Sequence, residues 1–150
     1  MQDLLKNPAF AIYCITASIL CLNMLGLWGY SGGVRSGSKT TPNAEDTSTV
    51  SKGAEVVKAD PEAVARVLRA HTNAFVNIMP FLVLAFLYVL LGATPTMAWA
   101  LFGGFTFVRL VHSVVYLAGK QPWRSLTFAL GGVFTAVVLV EVLRRSIALL

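Results

Sequence analysis

The sequence predicts an all-α integral membrane protein, a four-transmembrane-helix bundle in up-down topology folded as a single domain. Three observations predict it. Of 150 residues, 56% are hydrophobic and 13% charged, and mean hydropathy is +0.70, so the chain is more apolar and less charged than a soluble domain. The apolar residues gather into four runs, each near the roughly 20 residues that cross a bilayer. Short connectors containing Gly or Pro separate the last three runs, which makes each of those helices double back on the one before it.

The first span is expected over residues 8–30, because no charge occurs between Lys6 and Arg35. Its apolar run outlasts a signal-peptide h-region and the leading MQDLLK is hardly basic, so it reads as a retained helix. Cys14 and Cys21 lie in this run, seven residues apart and on one helix face. That geometry keeps them from each other, and neither has a CxxC partner or a nearby histidine, so they read as core or lipid-facing thiols. Residues 31–59 follow, rich in Gly, Ser, Thr and Lys without apolar periodicity, and read as a polar loop or partly ordered lid.

The remaining spans are expected over residues 61–91, 95–117 and 122–143. Proline opens each of the four runs, in Asn7-Pro8, Asp60-Pro61, Thr94-Pro95 and Gln121-Pro122, where a first helical residue tolerates it. Asn7, Asp60 and Thr94 are candidate N-caps, Asp60 the strongest, and Glu62 suits the first-turn dipole. Pro80 falls inside the second helix and is expected to kink it. Trp28, Trp99 and Trp123 sit near span ends, as interfacial anchors among membrane lipids do.

Basic residues near the span ends set the expected orientation. Arg35, Lys39, Lys52, Lys58, Lys120 and Arg124 fall in or beside the first and third connections, which places those loops in the cytoplasm and both termini outside. Net charge is +5 and the isoelectric point about 9.6, yet the basic residues are dispersed around apolar runs, a pattern that does not fit nucleic acid. No His, Cys or carboxylate set has metal-ligand spacing. There is no GxSxG, and no acid in the helical half stands ready for a hydrolase triad.

From Ala63 to Val140 the chain has no aspartate or glutamate, yet it holds Arg66, Arg69, Arg109, Lys120 and Arg124. A guanidinium withdrawn from water needs counter-charge or hydrogen-bonded replacement, so the imbalance asks for an anion from elsewhere. On a helical wheel Arg66, Arg69, Asn73 and Asn77 share an arc of roughly 80°, with His71 pointing away. Arg109, His112 and Tyr116 share an arc of roughly 60° on the third helix. Arginines at span ends can snorkel to headgroups, which accounts for Arg66 and suits Arg124. Arg109 lies near mid-span, where a cation is expensive and faces a bundle interior.

The run Arg66-Val67-Leu68-Arg69-Ala70-His71-Thr72-Asn73, followed by Pro80-Phe81-Leu82, then Arg109 to Leu117 with Arg124-Ser125, resembles the membrane-associated proteins in eicosanoid and glutathione metabolism, the MAPEG family. Within that family the pattern is nearest to the prostaglandin-endoperoxide isomerases. The resemblance covers about residues 60–145, together with Val34-Arg35. It implies a homotrimer that binds glutathione between subunits near the cytoplasmic side and takes a lipophilic substrate from the bilayer.

By position, Arg69, Asn73, His112, Tyr116, Arg124 and Ser125 would contact glutathione, and Arg124 with Ser125 would act on the thiol as the catalytic pair. His71 and Arg35 would border the site, Arg35 reaching it from a neighbouring subunit, and Phe128 would pack against the ligand. The implied activity is a glutathione-dependent transferase or peroxidase acting on hydrophobic electrophiles or lipid peroxides, with prostaglandin endoperoxide isomerisation as a narrower form. The family pattern has a glutamate three residues after the Asn, where this chain has Val76. A non-catalytic lipid-binding or scaffold member, and a purely structural bundle, are the alternatives.

Overall fold

The computed structural model describes residues 2–150, and among these four helices are long and apolar enough to cross a membrane. A short helix α1 (Gln2–Lys6) leads into α2 (Pro8–Ser38), and α3 (Glu62–Leu90) follows the polar connection. The third span consists of α4 (Pro95–Ala98), a π turn (Trp99–Gly103) and α5 (Gly104–Leu117), and α6 (Trp123–Ile147) is the fourth.

The second and fourth spans fall close to their expected bounds, but α2 runs on to Ser38 instead of stopping near Tyr30. At 1.5 Å per residue its 31 residues extend about 46 Å, well beyond a hydrocarbon layer of about 30 Å. The polar stretch from Ser31 therefore continues the helix where water can hydrate it. Lys39 ends it in a left-handed conformation (φ 52°), its amide donating to Ser36 O at 3.2 Å. Beyond Lys39 the loop folds on itself. Strand β1 (Thr40–Thr41) pairs in parallel with β2 (Glu55–Val56), and buried Thr41 donates to Asp46 Oδ2 at 3.0 Å.

Two of the proline-led helix starts are capped as expected. Asn7 Oδ1 accepts from Ala9 N at 2.9 Å, and Thr94 Oγ1 accepts from Met97 N at 3.3 Å. Asp60 does not cap α3, which starts at Glu62 with Pro61 before it and no side-chain cap. Its carboxylate instead takes Arg35 Nη1 at 2.6 Å, a charge-assisted bond stronger than one to an amide. That pair ties the end of α2 to the approach to α3. Pro122 likewise precedes its helix and does not open it.

The interior is aromatic at its centre. Phe81 and Phe105 stack with ring centroids 3.6 Å apart, and Phe102 sets its edge against Phe81 and Tyr88 at 6.0 and 6.4 Å. Helix α3 passes through Pro80 without ending. The π turn in the third span has no warning in the apolar pattern, and its wider winding changes the phase at which α5 presents its side chains. At the far end, Arg145 Nη1 donates to Leu91 O (3.0 Å) and Gly92 O (2.7 Å), with its guanidinium 4.8 Å from the Tyr88 ring. The last turn of α6 thus closes the carbonyl end of α3. Phe75, Val83, Phe107, Val114 and Val140 stay exposed on the outer faces, as suits an apolar surrounding.

Candidate functional site

The largest fully buried side chain in the protein is a cation, Arg109, only 1% exposed. Helix α5 delivers it to the seam with α3 and α6, as its mid-span position required. Its Nη2 donates to Asn77 Oδ1 and to Phe128 O, both at a long 3.4 Å, and its guanidinium lies 5.5 and 5.8 Å from the Phe105 and Phe128 rings. Nε and Nη1 have no partner. Gly131 makes room for it, since a Cβ there would stand 2.7 Å from Arg109 Nε.

One turn on, buried His112 joins the third and fourth spans through Nδ1 and Thr127 Oγ1, 2.9 Å apart. Thr127 has one hydroxyl proton, and backbone carbonyls stand in reach of it, Trp123 O at 2.8 Å and Arg124 O at 3.2 Å. With that proton on a carbonyl, Nδ1 donates to Thr127, and Nε2 is the ring's free nitrogen, buried and without a partner. Asn73 Oδ1 on α3 is buried and unpartnered as well. Such orphans need an explanation, and a ligand is one.

Asn73 and Tyr116 belong to two adjoining clefts. One, of about 390 Å³, is lined by Leu68, Arg69, Thr72, Asn73, Val76 and Tyr116. The other, of about 170 Å³, is lined by Asn73, His112, Tyr116, Arg124, Ser125 and Phe128. Together they reach the size of a small-ligand site. Arg124 lies over the Tyr116 ring at 5.1 Å. Gln121 sits between Arg124 and Ser125, and because a guanidinium only donates, the amide oxygen faces Arg124. In that orientation it accepts from Arg124 Nε (3.2 Å) and Nη2 (2.9 Å), while the amide nitrogen donates to Ser125 Oγ at 3.0 Å.

Of the residues expected from sequence, Arg69, Asn73, His112, Tyr116, Arg124, Ser125 and Phe128 come together along these clefts. Two do not. His71 faces a separate groove with Cys21, Met24, Leu25, Trp28 and Phe75, pointing away from the stripe as the wheel required. Arg35 is held by Asp60 of its own chain. Arg66 also leaves the stripe, for a groove with Tyr30, Val34 and Leu117. Thr127 and Gln121 were not foreseen, and Gln121 lies in the turn before α6, where helical spacing does not apply.

The acid deficit resolves unevenly. Glu62, just outside the acid-free stretch, takes Arg69 at 2.8 Å and Arg66 at 3.4 Å, in exposed pairs of small energetic worth. Glu141, on its other flank, takes Arg144 and Arg145. Among the described residues Arg109 and Arg124 are the two arginines without an acidic partner. Arg124 lines the small cleft, while Arg109 lies buried and reaches only the carbonyl and ring of Phe128 among the residues that line it. Val76, which lines the larger cleft, supplies no charge.

Comparison with known proteins gives a consistent picture. The pattern of the MAPEG family matches residues 13–144. The chain is 34% identical over 140 residues to prostaglandin E synthase of Homo sapiens, covering 93% of this chain and 91% of that protein. It is 32% identical over 152 residues to microsomal glutathione S-transferase 1 of Rattus norvegicus, covering 99% and 98%. Against microsomal glutathione S-transferase 1 of Sus scrofa it is 35% identical over 134 residues, covering 87% and 86%.

Proposed function

The chain belongs to the MAPEG family, and on that premise we propose that it is a glutathione-dependent membrane transferase acting on hydrophobic electrophiles or lipid peroxides. Isomerisation of a prostaglandin endoperoxide is a narrower reading, suggested by the likeness to prostaglandin E synthase. The protein is a multi-pass membrane protein, and its four spans would run up and down in turn. Three copies would assemble so that Arg35 of one chain borders the cleft of the next, with His71 also at the edge of the site. The polar connection and the cleft would face the cytoplasm, with the lipophilic substrate arriving from the bilayer.

One observation carries the reading: Arg124, an arginine without an acid, lines the cleft together with Asn73 and His112, whose Oδ1 and Nε2 also lack partners. Glutathione matches the adjoining clefts, with a carboxylate for Arg69, a thiol for Arg124 and peptide N–H groups for the free acceptors. When bound, it supplies a thiol whose thiolate forms a bond to the electrophilic carbon, the leaving group departing with the bond electrons and the thiol proton passing to solvent. Arg124 favours the thiolate by opposite charge, and the Ser125 hydroxyl donates to it. Arg69 and Asn73 hold the rest of the ligand in the larger cleft, and Phe128 packs against it.

Val76, exposed and apolar in that cleft, favours a second reading, a lipid-binding scaffold without catalysis. Conjugation of glutathione to an aromatic halide by the purified protein separates the two. Activity that falls at least a hundredfold in Arg124→Ala and tenfold in Ser125→Ala is expected. An active protein indifferent to both changes would overturn the assigned roles, and an inactive protein that holds fatty acid tightly would favour the scaffold.

A further inference from the structure

We infer that Gln121 is a positioning residue that decides which way the Ser125 hydroxyl can donate, and so sets how readily a bound thiol ionises. The inference rests on the reading of Arg124 and Ser125 as the pair that acts on the thiol. Serine has one proton to give. With the Gln121 oxygen taken up by Arg124 Nε and Nη2 at 3.2 and 2.9 Å, its amide nitrogen donates to Ser125 Oγ at 3.0 Å. A hydroxyl that already accepts from Gln121 keeps its own hydrogen free for an anion in the cleft that Ser125 lines.

In the opposite orientation Ser125 would spend its proton on the Gln121 oxygen at 3.0 Å and have none for a thiolate. Arg124 forbids that orientation, because it would face guanidinium N–H against amide N–H. The charged residue thereby sets the amide, and the amide sets the serine. The same contact fixes the guanidinium on two of its nitrogens and keeps its orientation over Tyr116. The pair is thus aimed before any ligand arrives, without an acid that would neutralise Arg124. Glutamine suits this role because it accepts at one end and donates at the other, while glutamate can only accept.

The test reads thiolate formation directly, by the ultraviolet absorption of glutathione bound to the purified full-length protein, titrated with pH in the absence of any electrophile. Gln121→Met removes both contacts at similar size, and Gln121→Glu draws the Ser125 proton to itself and neutralises Arg124. The midpoint of ionisation should rise by about one unit in Gln121→Met, the worth of one hydrogen bond to an anion. It should rise further in Gln121→Glu. Calorimetry should find glutathione affinity in Gln121→Met within about threefold of the parent, a change of under 1 kcal/mol. A midpoint unmoved by both substitutions, or a glutamate variant no worse than the methionine one, would overturn the inference, as would loss of glutathione binding in Gln121→Met. Arg124→Ala and Ser125→Ala run alongside. If these raise the midpoint and the Gln121 variants do not, the positioning role fails while the catalytic pair stands; if neither does, the pair itself is wrong.

Discussion

Replacing Gly131 with alanine should destabilise the protein, while the same change one residue on, at Gly132, should not. A Cβ at Gly131 would meet Arg109 Nε at 2.7 Å and Cζ at 2.8 Å, where ordinary contacts begin near 3.4 Å. A guanidinium at the end of a flexible chain could swing aside on a surface. Here it is 1% exposed and lies between the Phe105 and Phe128 rings, so it must drag its neighbours with it. Overpacking of this kind costs ~1–3 kcal/mol, against a gain of ~1 kcal/mol when alanine replaces glycine in a helix. Gly132 has nothing within 4 Å of its added carbon and keeps only the gain.

Thermal unfolding of the detergent-solubilised protein checks this. At ~2–4 °C per kcal/mol for a chain of this size, Gly131→Ala should melt several degrees below Gly132→Ala. Arg109→Met in the Gly131→Ala background should recover most of the loss by removing the colliding group. A Gly131→Ala protein as stable as its Gly132 counterpart would refute the placement of Arg109 against α6.

Arg145→Ala should cost ~1.5–3 kcal/mol, because two carbonyls at the end of α3 lose a charged donor, and Arg145→Lys should restore only part of it for want of the forked guanidinium. Thermal melts of the two variants suffice. Thr94→Ala should cost ~1 kcal/mol through its lost cap, measurable the same way. Asp60→Ala should act through Arg35 instead, so a double-mutant cycle on that pair should give a coupling of about 1 kcal/mol that weakens in high salt. Native mass spectrometry from detergent should find three copies of the 16.2 kDa chain together.

Span count and span position were legible in the sequence because charge is excluded from an apolar layer, and a run such as residues 8–30 has few other uses. The end of α2 was not legible, since Ser31 to Ser38 are helical without being apolar and hydropathy cannot see a helix that continues into water. The π turn was hidden for a different reason, being a change of winding and not of composition. Within the site, Arg109 could be placed inside the bundle by cost alone. The destinations of Asp60 and Arg66 could not, because a cap and an ion pair compete for the same carboxylate and only tertiary geometry decides. The Gln121 contact was not legible either, because Gln121 lies in the turn before α6 and helical periodicity does not reach it. Its meaning emerged only with Arg124 and Ser125 seen on either side of one amide.

Calorimetric titration of the purified protein with glutathione tests the central claim most directly. Saturable binding is expected, weakened by salt because arginines face carboxylates, and reduced at least tenfold in Arg124→Ala, a loss of about 1.4 kcal/mol. The absence of glutathione binding in a folded protein that takes up fatty acid or phospholipid would contradict it, and would assign the unpaired arginines to lipid instead.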